Sequence, residues 1–175
     1  MSDPDDQFED FWRDARVRAR LNPADGYLGV TDDEVLRPPA WAFGATPEEA
    51  DRLLGLVTAG AKTATASVLW EYEAQAEELP RAGDLSIVLD GSGEPTALIR
   101  TTHVEVRRFA DVDEEHARRE GEGSLAQWRR EHQRFFAEHA PQGQQVTDDT
   151  QVVLERFVCL VPVEARREAR RAGLL

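Results

Sequence analysis

Two apolar, β-prone runs, GDLSIVLD (83–90) and TALIRTTHVEV (96–106), are separated only by Gly91-Ser92-Gly93-Glu94-Pro95. Glycines and a proline between two such runs mark a tight reversal, so the pair reads as a β-hairpin. That feature constrains the chain more than any other. A hairpin makes neighbouring strands antiparallel, whereas parallel strands need a crossover of a dozen or more residues between them. The other strand candidates are TATASVLW (63–70) and QVVLERFVCLV (151–161), the latter with alternating character. Helices interrupt these strands without the regular βαβ alternation of a doubly wound fold. The pattern predicts the α+β class, with a small mixed or antiparallel β-barrel and flanking α-helices.

Apolar spacing and caps mark the helices. Phe8, Phe11, Trp12, Ala15 and Ala19 place one apolar face along residues 7–20. A Pro/Gly/Asp-rich connection follows, with Pro23, Gly26, Gly29 and Pro38-Pro39. Thr46 is an N-cap with Pro47 in the first turn and Glu49 completing a capping box. Leu53, Leu54, Leu56 and Val57 form the inner side of that helix, and Gly60 follows as its C′ residue. WEYEAQAEELP (70–80) is an irregular or helical insert. A short helix runs from Asp113 to Arg119, and Ser124 with Gln127 caps a longer one whose inner stripe is Leu125, Trp128, His132, Phe135, Phe136 and His139. The end, EARREARRAGLL, reads as a solvated helix.

With 175 residues the chain suffices for one compact domain. Residues 1–45 read as a helix and irregular connection packed on that domain, 46–162 as the domain itself, and 163–175 as a tail. No apolar run reaches the roughly 20 residues of a membrane span. The acidic start MSDPDDQFED lacks the pattern of a secretory signal, so a cytoplasmic protein is expected. The net charge of −13 argues against extended nucleic acid as a partner, because many phosphate contacts require a basic face. The pairs Arg107-Arg108, Arg118-Arg119 and Arg129-Arg130 read as solvated helix faces balanced by nearby acids. A small ligand fits this composition better.

Several familiar chemistries are absent. Gly55 and Gly60 carry the glycine spacing of a phosphate loop, but Ala61 precedes Lys62, and the segment leaves a helix instead of opening one. His103, His116, His132 and His139 form no metal-ligand spacing, so no metal is expected and packed histidine is the plain reading. The single cysteine, Cys159, lies in an apolar strand and reads as core. No G-x-S-x-G elbow occurs, and Ser92 belongs to a turn.

The sole lysine among twenty-one basic residues is Lys62, in GAKTATAS beside Thr63, Thr65 and Ser67. A cation near a helix C-terminus could equally be arginine, as everywhere else in this chain. Lysine differs in that burial can make its amine titrate, whereas a guanidinium stays charged. Lys62 can therefore serve as a proton-handling group, with a threonine hydroxyl as nucleophile or orienting group. The acidic piece EEHARREGEG (114–123), with Glu120 and Glu122 near a helix end, is the second candidate constellation.

GAKTAT, then LPRAGDLSIVLDGSGEPTALIRTTHVEV, then DEEHARREGEGSLAQWRREHQRFF closely resemble an ASCH domain, in particular the longer bacterial members, from about Pro47 to Val161. The resemblance implies a PUA-like β-barrel and RNA binding, with ribonuclease activity in some bacterial members. A smaller relative hydrolyses N4-acetylcytidine through the lysine and threonine of G-x-K-x-x-T and a glutamate. By motif these are Lys62, Thr65 and Glu120, with Gly60 supplying the turn. Many members carry an arginine where this chain has Ser67, which puts the binding mode in question.

The expected activity is thus a cofactor-independent amidohydrolase on an acylated nucleobase. The alternative is an RNA-binding module or ribonuclease using the same cleft. The expected partner is a nucleoside or short single-stranded RNA, with no membrane and a homodimer left open. Gly60, Thr63 and Ser67 are further ligand-binding candidates, and Trp70 and Tyr72 are candidates for stacking on a base, against a default of core packing.

Overall fold

In the computed structural model, residues 4–21 and 37–175 are described. Pro23, Gly26 and Gly29 of the sequence-predicted connection lie outside them. In chain order the elements are α1 (Pro4–Arg18), β1 (Ala40–Trp41), α2 (Pro47–Thr58), β2 (Ala64–Val68), α3 (Leu69–Gln75), β3 (Leu85–Leu89), β4 (Pro95–Arg108), α4 (Glu114–Glu120), α5 (Leu125–Glu138), β5 (Gln151–Val161) and α6 (Val163–Arg171).

The hairpin forms as its turn chemistry requires. Asp90 accepts hydrogen bonds from the Ser92 and Glu94 backbone N–H groups at 2.9 and 3.0 Å, closing the turn between β3 and β4. Those strands pair antiparallel, from Leu85 opposite Arg100 to Val88 opposite Ala97. The five strands lie in the order β1-β3-β4-β5-β2. Only β1 and β3 run parallel; β5 pairs antiparallel with both β4 and β2.

The architecture is α+β, as the patterning predicts, but the sheet is open and does not close into the expected barrel. The edge strands β1 and β2 are not bonded to each other. Instead Ala40 and Trp41 of one and Thr65 and Ser67 of the other line the same depression. Closure would require β1 to offer a ladder along β2. With two residues, and Pro38-Pro39 before them lacking N–H groups, β1 has little to offer. The seam of a barrel is here a cleft.

Both faces of the central strands are covered. Trp12 and Ala15 of α1 pack with Ile87, Leu98, Val158 and Leu160. The alternate residues Val88, Ile99, Phe157 and Cys159 face Leu53, Leu54 and Val57 of α2 and Ala165 of α6. This two-sided burial is why β5 is nearly continuously apolar, in place of the alternation expected of a half-exposed strand. Burial also pushes the Cys159 thiol up to about 12. A third cluster joins Val68, Val152 and Leu154 to Phe109, Trp128 and Phe136.

The capping residues act as read. Thr46 accepts from Glu49 N–H at 3.2 Å, and Glu49 turns back to the Ala45 N–H at 2.8 Å. Ser124 likewise accepts from Gln127 N–H, but the Gln127 side chain bonds Glu131 instead of closing a box. The C-terminal segment differs from its reading as a solvated helix. Ala165, Ala169 and Leu174 are buried, and Gly60 lies directly beneath α6. With φ of +74°, Gly60 permits an approach in which a Cβ would run into the Ala165 carbonyl and lie 2.7 Å from the Ala169 nitrogen.

Candidate functional site

Gly60 ends α2, and Ala61 and Lys62 form the turn that enters β2 at Ala64. Both the Ala61 and the Lys62 N–H donate back to the Leu56 carbonyl, at 2.8 and 3.1 Å, which holds this turn against the end of α2. Lys62 then points inward and is 2 % exposed. Its Nζ lies 3.0 Å from Glu120 Oε2, 3.8 Å from Glu122 Oε2 and 5.3 Å from the centroid of the Phe43 ring.

Glu120, the last residue of α4, is 1 % exposed. Trp128 Nε1 donates to its Oε1 at 2.9 Å, and His116 Nε2 lies 2.9 Å from the same oxygen. His132 Nε2 is 3.5 Å from Oε2. Burial alone would push this carboxyl up. The Lys62 charge, then His132 and the hydrogen bonds of His116 and His132, outweigh it and hold Glu120 well below the usual carboxylate range.

Helix α5 builds the wall of this site. His132 stacks on Trp128 at 4.1 Å between ring centroids, and its Nδ1 bonds the Trp128 carbonyl at 3.0 Å. Because a carbonyl only accepts, Nδ1 carries the hydrogen. A charged pair so deeply buried requires this density of partners, since an incompletely satisfied buried charge is strongly destabilising.

Lys62, Thr65 and Glu120 line one cavity of about 280 Å³, together with Phe43, Glu122 and His132. Thr65 is half-buried in β2, and its hydroxyl has no hydrogen-bond partner among the described residues. It also lines the depression of about 1,020 Å³ at the open seam of the sheet, so the two hollows meet at this residue.

The other sequence-predicted residues divide. Ser67 and Tyr72 line the larger depression, their hydroxyls 3.0 Å apart. Gly60 lies under α6, away from both hollows. Thr63 is buried; its hydroxyl donates to the Leu174 carbonyl at 3.3 Å, and its backbone links Arg119 and Phe157. Trp70 packs against the cluster around Trp128 and lines neither hollow, which is the core-packing default.

Glu122 belonged with Glu120 to the second candidate constellation, whereas three residues of the site carried no assigned role in the sequence: His116, Trp128 and His132. Their local signal was present, since His116–Glu120 and Trp128–His132 are both i, i+4 pairs on helices. Among the described residues, Glu120, Glu122 and His132 also bring ligand atoms within 4.8 Å of one another, a set that could hold a cation. The Lys62 ammonium already stands against both carboxylates and supplies that positive charge from the chain itself.

The model of the ASCH domain family matches residues 39–161. A crystal structure of a DUF984-family protein from Enterococcus faecalis V583 is 36% identical, with a TM-score of 0.69 over 87% of this chain and 93% of that one. An ASCH domain from Lactobacillus crispatus JV V101 is 28% identical, with a TM-score of 0.67 over 82% of this chain and 94% of that one. A search of the curated proteins returns no significant match.

Proposed function

Because the chain belongs to the ASCH domain family, a PUA-like fold family associated with RNA binding, we propose that it binds a nucleoside or short single-stranded RNA at Lys62 and hydrolyses an amide on an acylated nucleobase such as N4-acetylcytidine. The observation that carries this reading is the fully buried Lys62–Glu120 pair bordering a cavity beside Thr65, whose hydroxyl has no partner among the described residues. A buried ion pair is weak support for stability alone, since apolar residues of similar volume often serve as well. Placed at a cavity, it offers a proton-handling unit screened from water.

In the proposed reaction a water held by Thr65 attacks the amide carbonyl, forming the new C–O bond. Its proton passes to the Glu120 carboxylate, because the Lys62 ammonium 3.0 Å away has no lone pair to accept one. The C–N bond then breaks as the Lys62 ammonium gives a proton to the exocyclic nitrogen. Glu120 passes its own proton on to Lys62, and the products are the free amino base and a carboxylic acid. General acid–base catalysis of this kind contributes about 10²–10⁴-fold. The purified protein is therefore expected to release cytidine from N4-acetylcytidine, and Lys62→Arg and Glu120→Gln to abolish release. Release surviving in a folded Lys62→Arg variant would sink the mechanism, because a guanidinium does not give up its proton.

A second reading, an RNA-binding module, is favoured by a separate observation. Arg100, Arg119, Arg156, Arg166 and Arg170 line one depression of about 510 Å³. None but Arg119 forms an ion pair among the described residues, although the chain has acids to spare. Such a patch suits the phosphates of a few nucleotides.

A further inference from the structure

The strand QVVLERFVCLV is buried over most of its length and interrupted by one carboxylate, Glu155. Glu155 stands directly opposite Thr65 of β2 in the antiparallel register. Opposed residues project from the same face of a sheet, and so does the residue two further along. Glu155, Thr65 and Ser67 therefore share the floor of the larger depression, which all three line.

Glu155 Oε1 accepts a hydrogen bond of 2.5 Å from the Thr101 hydroxyl. Its other oxygen has no hydrogen-bond partner, and the carboxyl forms no ion pair among the described residues. The charged groups around the depression do not compensate it. Glu77, Glu78 and Asp84 are acidic, and the one arginine there, Arg37, faces Asp5 and Glu9 at 3.7 and 3.6 Å. Burial pushes the Glu155 carboxyl up; the Thr101 bond opposes this, and Asp84 adds to it. Beside it, the Ser67 and Tyr72 hydroxyls are bonded to each other, leaving lone pairs and one hydrogen for a ligand. A half-buried carboxyl with a free oxygen is completed by a ligand that offers N–H groups.

We propose that Glu155, oriented by Thr101 and flanked by the Ser67–Tyr72 pair, is a specificity residue that accepts a hydrogen bond from the exocyclic amino edge of a nucleobase. The proposal rests on the reading of the Lys62 cleft as a nucleoside site. Because the two hollows meet at Thr65, a base held on Glu155 presents its exocyclic nitrogen next to Thr65, with an acyl group directed towards Lys62. Cytosine, adenine and guanine carry such an amino group. Uracil offers one ring N–H between two carbonyl oxygens, which a carboxylate repels.

Titration calorimetry with cytidine and uridine on the full chain tests this. The wild type is expected to bind cytidine about tenfold or more tightly than uridine, the discrimination available to a site built around a substrate N–H. Glu155→Gln, whose amide also donates, is expected to bring that ratio to one or below, and Glu155→Ala to weaken cytidine alone, with melting temperatures at or above the wild type. Cytidine binding with an unchanged ratio in Glu155→Gln overturns the inference and leaves the cleft reading standing. Binding of neither nucleoside by the wild type overturns both. A collapsed ratio without hydrolysis of N4-acetylcytidine keeps the subsite and removes the amidohydrolase.

Discussion

Gly121 packs against the carbonyl of Ala61 so closely that a Cβ there would lie 2.6 Å from the oxygen, and its φ is +74°. The contact sets the end of α4 against the turn before β2, which is what brings Glu120 onto Lys62. Gly121→Ala meets both a left-handed backbone and a collision. Gly143, with φ of +90° and open space around it, isolates the backbone part. Gly143→Ala is expected to cost about 1–2 kcal/mol, and Gly121→Ala clearly more, in urea unfolding. Equal losses would mean that the Ala61 contact has no energetic role.

The buried pair behaves as a unit. Lys62→Met or Glu120→Gln alone is expected to destabilise by about 3–5 kcal/mol, because each leaves the other group uncompensated. The double variant is expected to lose less than the sum of the two. Additive losses in a double-mutant cycle would show that the residues do not interact.

Two of the perturbed carboxyls, Glu120 and Glu155, contribute to acid stability with opposite signs. Glu120 is depressed in the folded state, so its contribution is present at neutral pH and declines as pH falls below the ~4.3 of an unfolded glutamate. Glu155 is raised, so the fold loses stability as pH climbs from that same value through the folded one. Glu155→Gln is therefore expected to melt higher than the wild type at pH 7, and Glu120→Gln lower. A pH series of melting curves decides this, and a lower melt for Glu155→Gln would contradict it.

The segment after β5 holds the fold together. Ala165 is fully buried where α6 packs on Gly60, so Ala165→Asp introduces an unpaired charge there and is expected to cost more than about 2 kcal/mol. Arg167→Ala, on the exposed side of α6, is expected to stay within about 0.5 kcal/mol. Thermal melting of the two variants checks the contrast.

If the arginine depression binds RNA, affinity for a short oligouridylate is expected to fall with salt. Single strands give a slope of about 0.7 per phosphate contact, so four free arginines predict a slope of roughly −3. Charge reversal at Arg100 and Arg170 is expected to flatten that slope. Fluorescence anisotropy at several salt concentrations reads it, and a flat wild-type response would remove the RNA-module reading.

Much of this was legible residue by residue. The hairpin turn, the caps at Thr46 and Ser124 and the strand at 151–161 are local signals, set by turn chemistry and periodicity within a few residues. Lys62 stood out by composition, and its pairing with Glu120 was expected from a family resemblance. Spacing along the chain could not supply it, since the two are 58 residues apart. Trp70, next to the motif, was a stacking candidate against a default of core packing, and it packs against the cluster around Trp128.

Local sequence dictates most of the helices and strands and which side chain carries a titratable amine, because propensity and capping act over one or two turns of chain. It gives no sign of β1, and Leu69 and Trp70, read as strand, open α3. The tertiary structure alone decided that the sheet stays open, that α6 is core, and that Glu155 stands across from Thr65. Those outcomes depend on backbone approach between distant segments. A missing Cβ at Gly60 or Gly121, and a two-residue β1 too short to close the seam, set distances that no periodicity encodes.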